Sequence, residues 1–172
     1  MKPHVICHMI ATVDGKTDGT VLGAVSGEGD YEATGALLGG DAWACGRATM
    51  EEHFAAGTFS PASDTPAGPQ PPFVARRAAS YAVSVDTLGK LRRASGDLGG
   101  DHVVCVVSEQ APADYLTMLR EDGVSYIVAG ASEVDLSAAV EQLGEHFGSA
   151  RCCSRGVAAS TGRSWRPASS TS

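Results

Sequence analysis

Three short segments carry residue types that can hold a phosphorylated ligand or polarise a carbonyl. The first is Ala11-Thr12-Val13-Asp14-Gly15-Lys16. An apolar run enters an Asp-Gly turn pair and a cation follows. A lysine so placed can meet a phosphate or a polarised carbonyl; a plain turn with a solvated lysine has the same pattern. The second is Cys45-Gly46-Arg47-Ala48-Thr49. Here an apolar run meets a helical pattern across a glycine, so backbone N–H groups and the helix dipole face the strand end, and Arg47 and Thr49 can add bonds to an anion. An ordinary strand-to-helix turn fits as well. The third is Ala129-Gly130-Ala131-Ser132-Glu133, again strand to glycine to helix. Glycine lets backbone N–H groups approach a pyrophosphate closely. Together the turns imply a dinucleotide-binding sheet. None matches G-x-G-x-x-G, so the nucleotide fold is not the doubly wound one that carries that fingerprint.

These turns need strands and helices to position them. Short β-branched runs predict strands over residues 5–11, 41–46, 80–85, 102–107 and 124–129. Helical patterns cover 27–38, 49–55, 112–121 and 135–147. Pro112 opens one helix, Gly123 closes it, and Asp135 caps or begins the last. In that last helix Leu136, Val140, Leu143 and Phe147 share a face. Residues 57–72 hold five prolines and read as a loop. Strands alternating with helices imply an α/β domain with a mainly parallel sheet, whose ligands gather at the carboxyl ends of the strands.

Bulk properties narrow the function. The chain has 172 residues, 43% hydrophobic and 19% charged, with a net charge of −7. That size suits one domain with a real core. The acidic balance argues against nucleic acid or an anionic membrane as partner, and no apolar run is long enough to span a bilayer. The N-terminus lacks a signal-peptide pattern, so a cytoplasmic protein is expected. Cys7, Cys45 and Cys105 sit in apolar runs and read as buried hydrophobes; with no CxxC pair, neither zinc nor a disulfide framework is indicated. His4 and His8, four apart on a strand, share no metal face and read as structural or exposed. Trp43 and Phe54 read as core. Tyr31 can flank a pocket or pack in the core.

Residues 149–172 differ in character. They hold seven Ser, four Arg and no carboxylate, whereas the 148 residues before them carry 9 Lys+Arg against 20 Asp+Glu. Back-translated with G/C-rich codons and shifted by two nucleotides, RCCSRGVAASTGRSWRPASSTS reads LLLEGGGGINGALLAAGLVDE: an apolar strand, a glycine loop and an amphipathic helix. The expectation is a one-nucleotide deletion near the codon of Ser149. Residues 1–148 would then be an incomplete domain and 149–172 an out-of-frame, disordered tail.

The segments PHVICHMIATVDGK, SGEGDY, DAWACGRATM and YIVAGASEVDLSAAVEQLGEHFG, followed by the shifted reading, resemble the reductase domain of the riboflavin-biosynthesis deaminase-reductase family. The resemblance covers residues 3–148. It implies a dihydrofolate-reductase-like fold, a mainly parallel sheet flanked by helices and here missing its C-terminal strands. It implies an NADPH-dependent transfer of hydride to the ribose of a phosphoribosylamino-pyrimidine, or to a related small molecule, in a homodimer that the altered C-terminus would disturb. Asp14 and Lys16 would be catalytic, at the substrate end. Ala11, Thr12 and Tyr31 would line the nicotinamide, with Ser26 at the substrate. Gly46, Arg47 and Thr49 would hold the phosphates, Ser108 the adenosine, and Gly130 would let the cofactor pass. The family's glutamate and glycine loop are encoded only in the shifted frame, so weak activity is expected. A dihydrofolate reductase and an inactive nucleotide-binding remnant are the competing readings.

Overall fold

The computed structural model describes residues 1–15, 28–54, 56–93 and 95–154. In chain order the elements are β1 (His4–Cys7), α1 (Glu28–Leu38), β2 (Ala42–Gly46), α2 (Arg47–His53), β3 (Gly57–Thr58) and β4 (Tyr81–Val85). There follow β5 (Leu91–Arg92), β6 (Asp97–Leu98), β7 (Asp101–Val107), α3 (Ala113–Glu121), β8 (Ser125–Val128), α4 (Leu136–Phe147) and β9 (Arg151–Ser154). Seven strands form one sheet in the order β1-β9-β2-β4-β7, with β6 and β8 both on β7. Every pairing in it is parallel except the β6–β7 hairpin. The α/β architecture expected from the sequence is therefore present.

Both faces of the sheet are covered, as parallel sheets require. Period-two alternation along β7 divides the core. Val104 and Val106 face α4, where Ala139, Leu143 and Phe147 close over Tyr81, Val83 and Ile127. Val103, Cys105 and Val107 face α3, with Tyr115, Leu116 and Leu119. A third cluster joins Cys45 and Ala82 to Met50 of α2 and to Leu91. Each fully buried aliphatic side chain here contributes roughly 1.5–3 kcal/mol. Asp135 caps α4 by accepting from the backbone N–H of Ser137 and Ala138 at 2.9 and 3.0 Å. Of the four residues expected on one face of α4, Val140, Leu143 and Phe147 are buried, while Leu136, in the first turn, stays exposed.

The C-terminal boundary needs correction. Residues 149–154, assigned from composition to the tail, belong to the domain; residues 155–172 lie outside the described residues. β9 lies between β1 and β2, pairing Val5↔Cys152 on one side and Trp43↔Cys153 on the other. A strand buried on both faces needs small or medium apolar side chains, and thiols qualify. Asp41 fixes its entry. The carboxylate accepts from the Ser149 hydroxyl at 2.5 Å, from the Ala150 N–H at 2.8 Å and from the Arg151 N–H at 3.3 Å. Arg151 also donates to the Leu38 carbonyl at 2.9 Å, at the end of α1. Burial works to raise the Asp41 pKa, but these hydrogen bonds outweigh it and hold the carboxyl below its ordinary value.

Three smaller expectations also change. β1 ends at Cys7, because the chain turns away after its last pairing with β9. Cys7 is exposed, since β1 is the outer strand; Cys45, Cys105, Cys152 and Cys153 are buried. Phe54 is 41% exposed, and it covers an edge of Trp43 at a ring separation of 5.6 Å.

Two predictions follow from the β9 insertion. Asp41→Ala should lower unfolding stability by about 2 kcal/mol, since it leaves several donors without their acceptor. The native carboxyl titrates below the unfolded one, so this stabilisation is complete above the unfolded pKa and is lost as pH falls through the folded value. Urea melts of both proteins at neutral and strongly acidic pH should therefore converge on the acid side. Burial pushes Cys45 and Cys152 up to about 12 and Cys105 up to about 11. A chromogenic disulfide reagent should label one thiol, Cys7, rapidly in the native protein and reach the other four only in denaturant.

Candidate functional site

Because the main strands run parallel, their carboxyl ends line one edge of the sheet in the order β1, β9, β2, β4, β7, β8. The residues expected from the sequence fall into two groups along it. Ala11, Thr12, Asp14 and Tyr31 lie on the β1 side, and Gly46, Arg47 and Thr49 follow β2. Ser108 and Gly130 follow β7 and β8. From β1 to β7 there are four inter-strand steps, roughly 19 Å. Lys16 and Ser26 lie outside the described residues.

The first group is built around a turn. The Gly15 N–H donates to the Thr12 carbonyl at 2.8 Å, closing the Asp-Gly turn read from the sequence. The Thr12 hydroxyl donates to the Asp14 carboxylate and holds it in the turn. Ala11 is exposed and Thr12 half-buried. Tyr31, on α1, leans over the end of β1. Its ring stacks on the His8 imidazole, with centroids 4.2 Å apart and planes 6° from parallel. Its hydroxyl donates to the His8 carbonyl at 3.2 Å, and the His8 N–H donates to the Ser154 carbonyl at 3.0 Å. His8 Nδ1 is buried and has no hydrogen-bond partner among the described residues.

The β2 turn comes next along the edge, with β9 between. Gly46 is the exposed N-cap of α2, and no side chain caps that helix. A Cβ added at Gly46 would stand in open space, so a ligand can approach the backbone there. Arg47 is not idle: its guanidinium pairs with Glu51 one turn along α2, and Glu51 also accepts from the Thr58 hydroxyl at 3.4 Å. Thr49 is half-buried in the same turn.

The structure gives the remaining two residues other work. Ser108 is fully buried; its hydroxyl donates to the Thr87 carbonyl at 2.8 Å and accepts from the Gln110 N–H at 3.3 Å, tying the ends of β4 and β7 together. Gly130 has φ +91°, and a Cβ there would lie 2.1 Å from the Glu133 carbonyl oxygen. Its smallness serves its own turn.

Sequence reasoning missed His8, set aside as structural or exposed. It also missed Asp86, fully buried at the end of β4, whose carboxylate accepts from the N–H groups of Lys90 and Leu91 at 2.7 and 2.8 Å and from the Tyr115 hydroxyl at 3.1 Å. This carboxylate shapes one wall of a cleft of about 530 Å³ lined by Thr58, Phe59, Pro61, Leu88, Lys90 and Gln110. None of the expected site residues lines that cleft. Its one legible signal was the proline-rich loop.

No family model matches the chain, and no curated protein matches it. Solved structures do. A pyrimidine reductase-like protein from Corynebacterium diphtheriae superposes with a TM-score of 0.55 at 18% identity, covering 90% of this chain and 65% of that one. The two share a fold. A diaminohydroxyphosphoribosylaminopyrimidine deaminase/5-amino-6-(5-phosphoribosylamino)uracil reductase from Thermotoga maritima gives 0.45 at 15% identity, covering 90% of this chain and 39% of that one. The chain thus spans less than two thirds of the length of either.

The arrangement at Gly46 makes a prediction of its own. Glu51→Gln should release Arg47 and tighten inorganic pyrophosphate binding several-fold by calorimetry, and Arg47→Ala should weaken it. Equal affinities in all three proteins would remove Arg47 from the site.

Proposed function

We propose that this chain is a cytoplasmic NADPH-dependent reductase of the riboflavin-biosynthesis type, acting on the ribose of a phosphoribosylamino-pyrimidine or a related small molecule. One observation carries the reading. The ATVDG turn and the Gly46-Arg47 turn lie either side of one short strand, at the carboxyl edge of a sheet whose fold is shared with a pyrimidine reductase-like protein. Gly46 fits a phosphate-bearing cofactor, because its Cβ direction is open and no side chain makes a capping bond at the start of α2. Gly46, Arg47 and Thr49 would hold the cofactor's phosphates, and Ala11, Thr12 and Tyr31 would line its nicotinamide end. Bound there, the reduced nicotinamide supplies hydride. Asp14, with Lys16 two residues on, would face the substrate, and Ser26 would border it. Ser108 and Gly130 are not assigned to the cofactor, since both are engaged in turns. Self-association into a homodimer is part of the proposal.

The same reading makes this chain a weak enzyme, because the rest of the phosphate loop is encoded in the shifted frame. Ligand that binds only the native state raises stability by RT ln(1 + [L]/Kd). NADPH should therefore raise the melting temperature in the millimolar range, and more than NADH does. No rise at saturating cofactor would favour the inactive remnant. Submillimolar affinity with steady turnover would overturn the expected impairment. Methotrexate-sensitive NADPH oxidation with dihydrofolate would favour the dihydrofolate reductase.

A further inference from the structure

Five buried side-chain polar atoms lack a partner among the described residues: His8 Nδ1, Asp86 Oδ1, Arg93 Nε, Asp114 Oδ1 and Asp122 Oδ2. Each of the last four belongs to a group with another contact: Asp86 and Asp114 accept through Oδ2, Arg93 donates to the Phe54 carbonyl at 2.8 Å, and Asp122 faces Arg92 at 3.8 Å. His8 Nδ1 differs in its place, the β1–β9–β2 end of the carboxyl edge. A buried nitrogen left unpaired is costly, so its persistence there needs a reason.

The imidazole is also unusually well fixed. Tyr31 covers one ring face, the His8 carbonyl accepts from the Tyr31 hydroxyl, and the His8 N–H is held by Ser154. Stacking covers that face, so a bond to Nδ1 would have to form in the ring plane. This is how a pre-organised contact to a ligand is built: the rotamer is set before the ligand arrives.

We propose that His8 is a catalytic residue, whose Nδ1 hydrogen-bonds the ring oxygen of the substrate's pentose and gives it a proton. The proposal rests on the reductase reading above. In that reaction C1′ gains hydride from the reduced nicotinamide, the C1′–O4′ bond breaks with its electron pair going to O4′, and O4′ takes one proton. Oxidised nicotinamide and a ribityl chain are the products. A protonated imidazole supplies that proton as neutral imidazole forms, and water restores it. Two other proton-bearing or proton-accepting groups at this end are engaged: Asp14 accepts from Thr12, and the Tyr31 hydroxyl proton goes to the His8 carbonyl.

The test reads binding as well as turnover. Imidazole ¹⁵N spectra of the full chain are recorded while the phosphoribosylamino-pyrimidine is added, then NADPH separately. The His8 Nδ1 resonance should move with the pyrimidine. His8→Phe, which keeps the ring stack on Tyr31, should weaken pyrimidine binding about tenfold and leave the NADPH-induced melting shift unchanged. His8→Gln, which keeps a hydrogen bond but carries no transferable proton, should restore most of the pyrimidine affinity and none of the single-turnover rate. A His8 resonance that stays fixed while the pyrimidine binds, or a His8→Phe protein with wild-type affinity and rate, overturns the proposal. A pyrimidine-driven shift in a protein that NADPH does not stabilise would uphold the His8 contact and overturn the cofactor assignment. A chain that binds neither ligand overturns both.

Discussion

The insertion of β9 between β1 and β2 is the constraint on which the rest depends. Among the described residues β1 pairs with β9 alone, through four residues, and β2 meets β9 on its other side. The ATVDG turn hangs from β1 and the Gly46-Arg47 turn from β2. Their separation along the carboxyl edge is therefore set by the width of one strand, and Asp41 holds that strand at its entry. Without it the two turns have no common frame. This is why a strand of sequence Arg-Cys-Cys-Ser matters more to the proposed site than any single polar side chain on it.

Much of the architecture was legible because local chemistry and tertiary packing agree. Asp135 was readable as a cap because its carboxylate meets N–H groups two and three residues on, a purely local event. The run from Val103 to Val107 was readable as a strand because a parallel sheet buried on both faces needs unbroken apolar residues. β9 was not legible. Two adjacent cysteines among arginines and serines carry no strand signal, and their burial comes from β1 and β2, more than a hundred residues away.

The site divides by the same logic. Thr12, Asp14 and Gly15 make a turn with one another, so spacing alone announced it. Ser108 came with the family resemblance and Gly130 with its strand-to-helix turn, and in the structure each serves its own backbone surroundings. His8 was passed over for the opposite reason. Its neighbours on the chain say nothing, and its ring is set by Tyr31 from α1 and its backbone by Ser154 from β9. Electrostatics follows suit: Arg47 promised a free cation on sequence, and Glu51 at helical spacing takes part of that promise back.

The order of synthesis gives the central strand a further importance. His4 pairs with Arg151, and Ala42 with Cys152, so the middle of the sheet waits on a strand that follows all the other described strands in the chain. Until that strand leaves the ribosome, β1 has no strand to join and β2 presents an open apolar edge to its surroundings. Pairings so distant along the chain are slow to form, and exposed edges recruit other chains in the interval. The nascent polypeptide should accordingly depend on holding chaperones until β9 has emerged, and its yield in cells should be governed by that waiting period as much as by the stability of the folded domain.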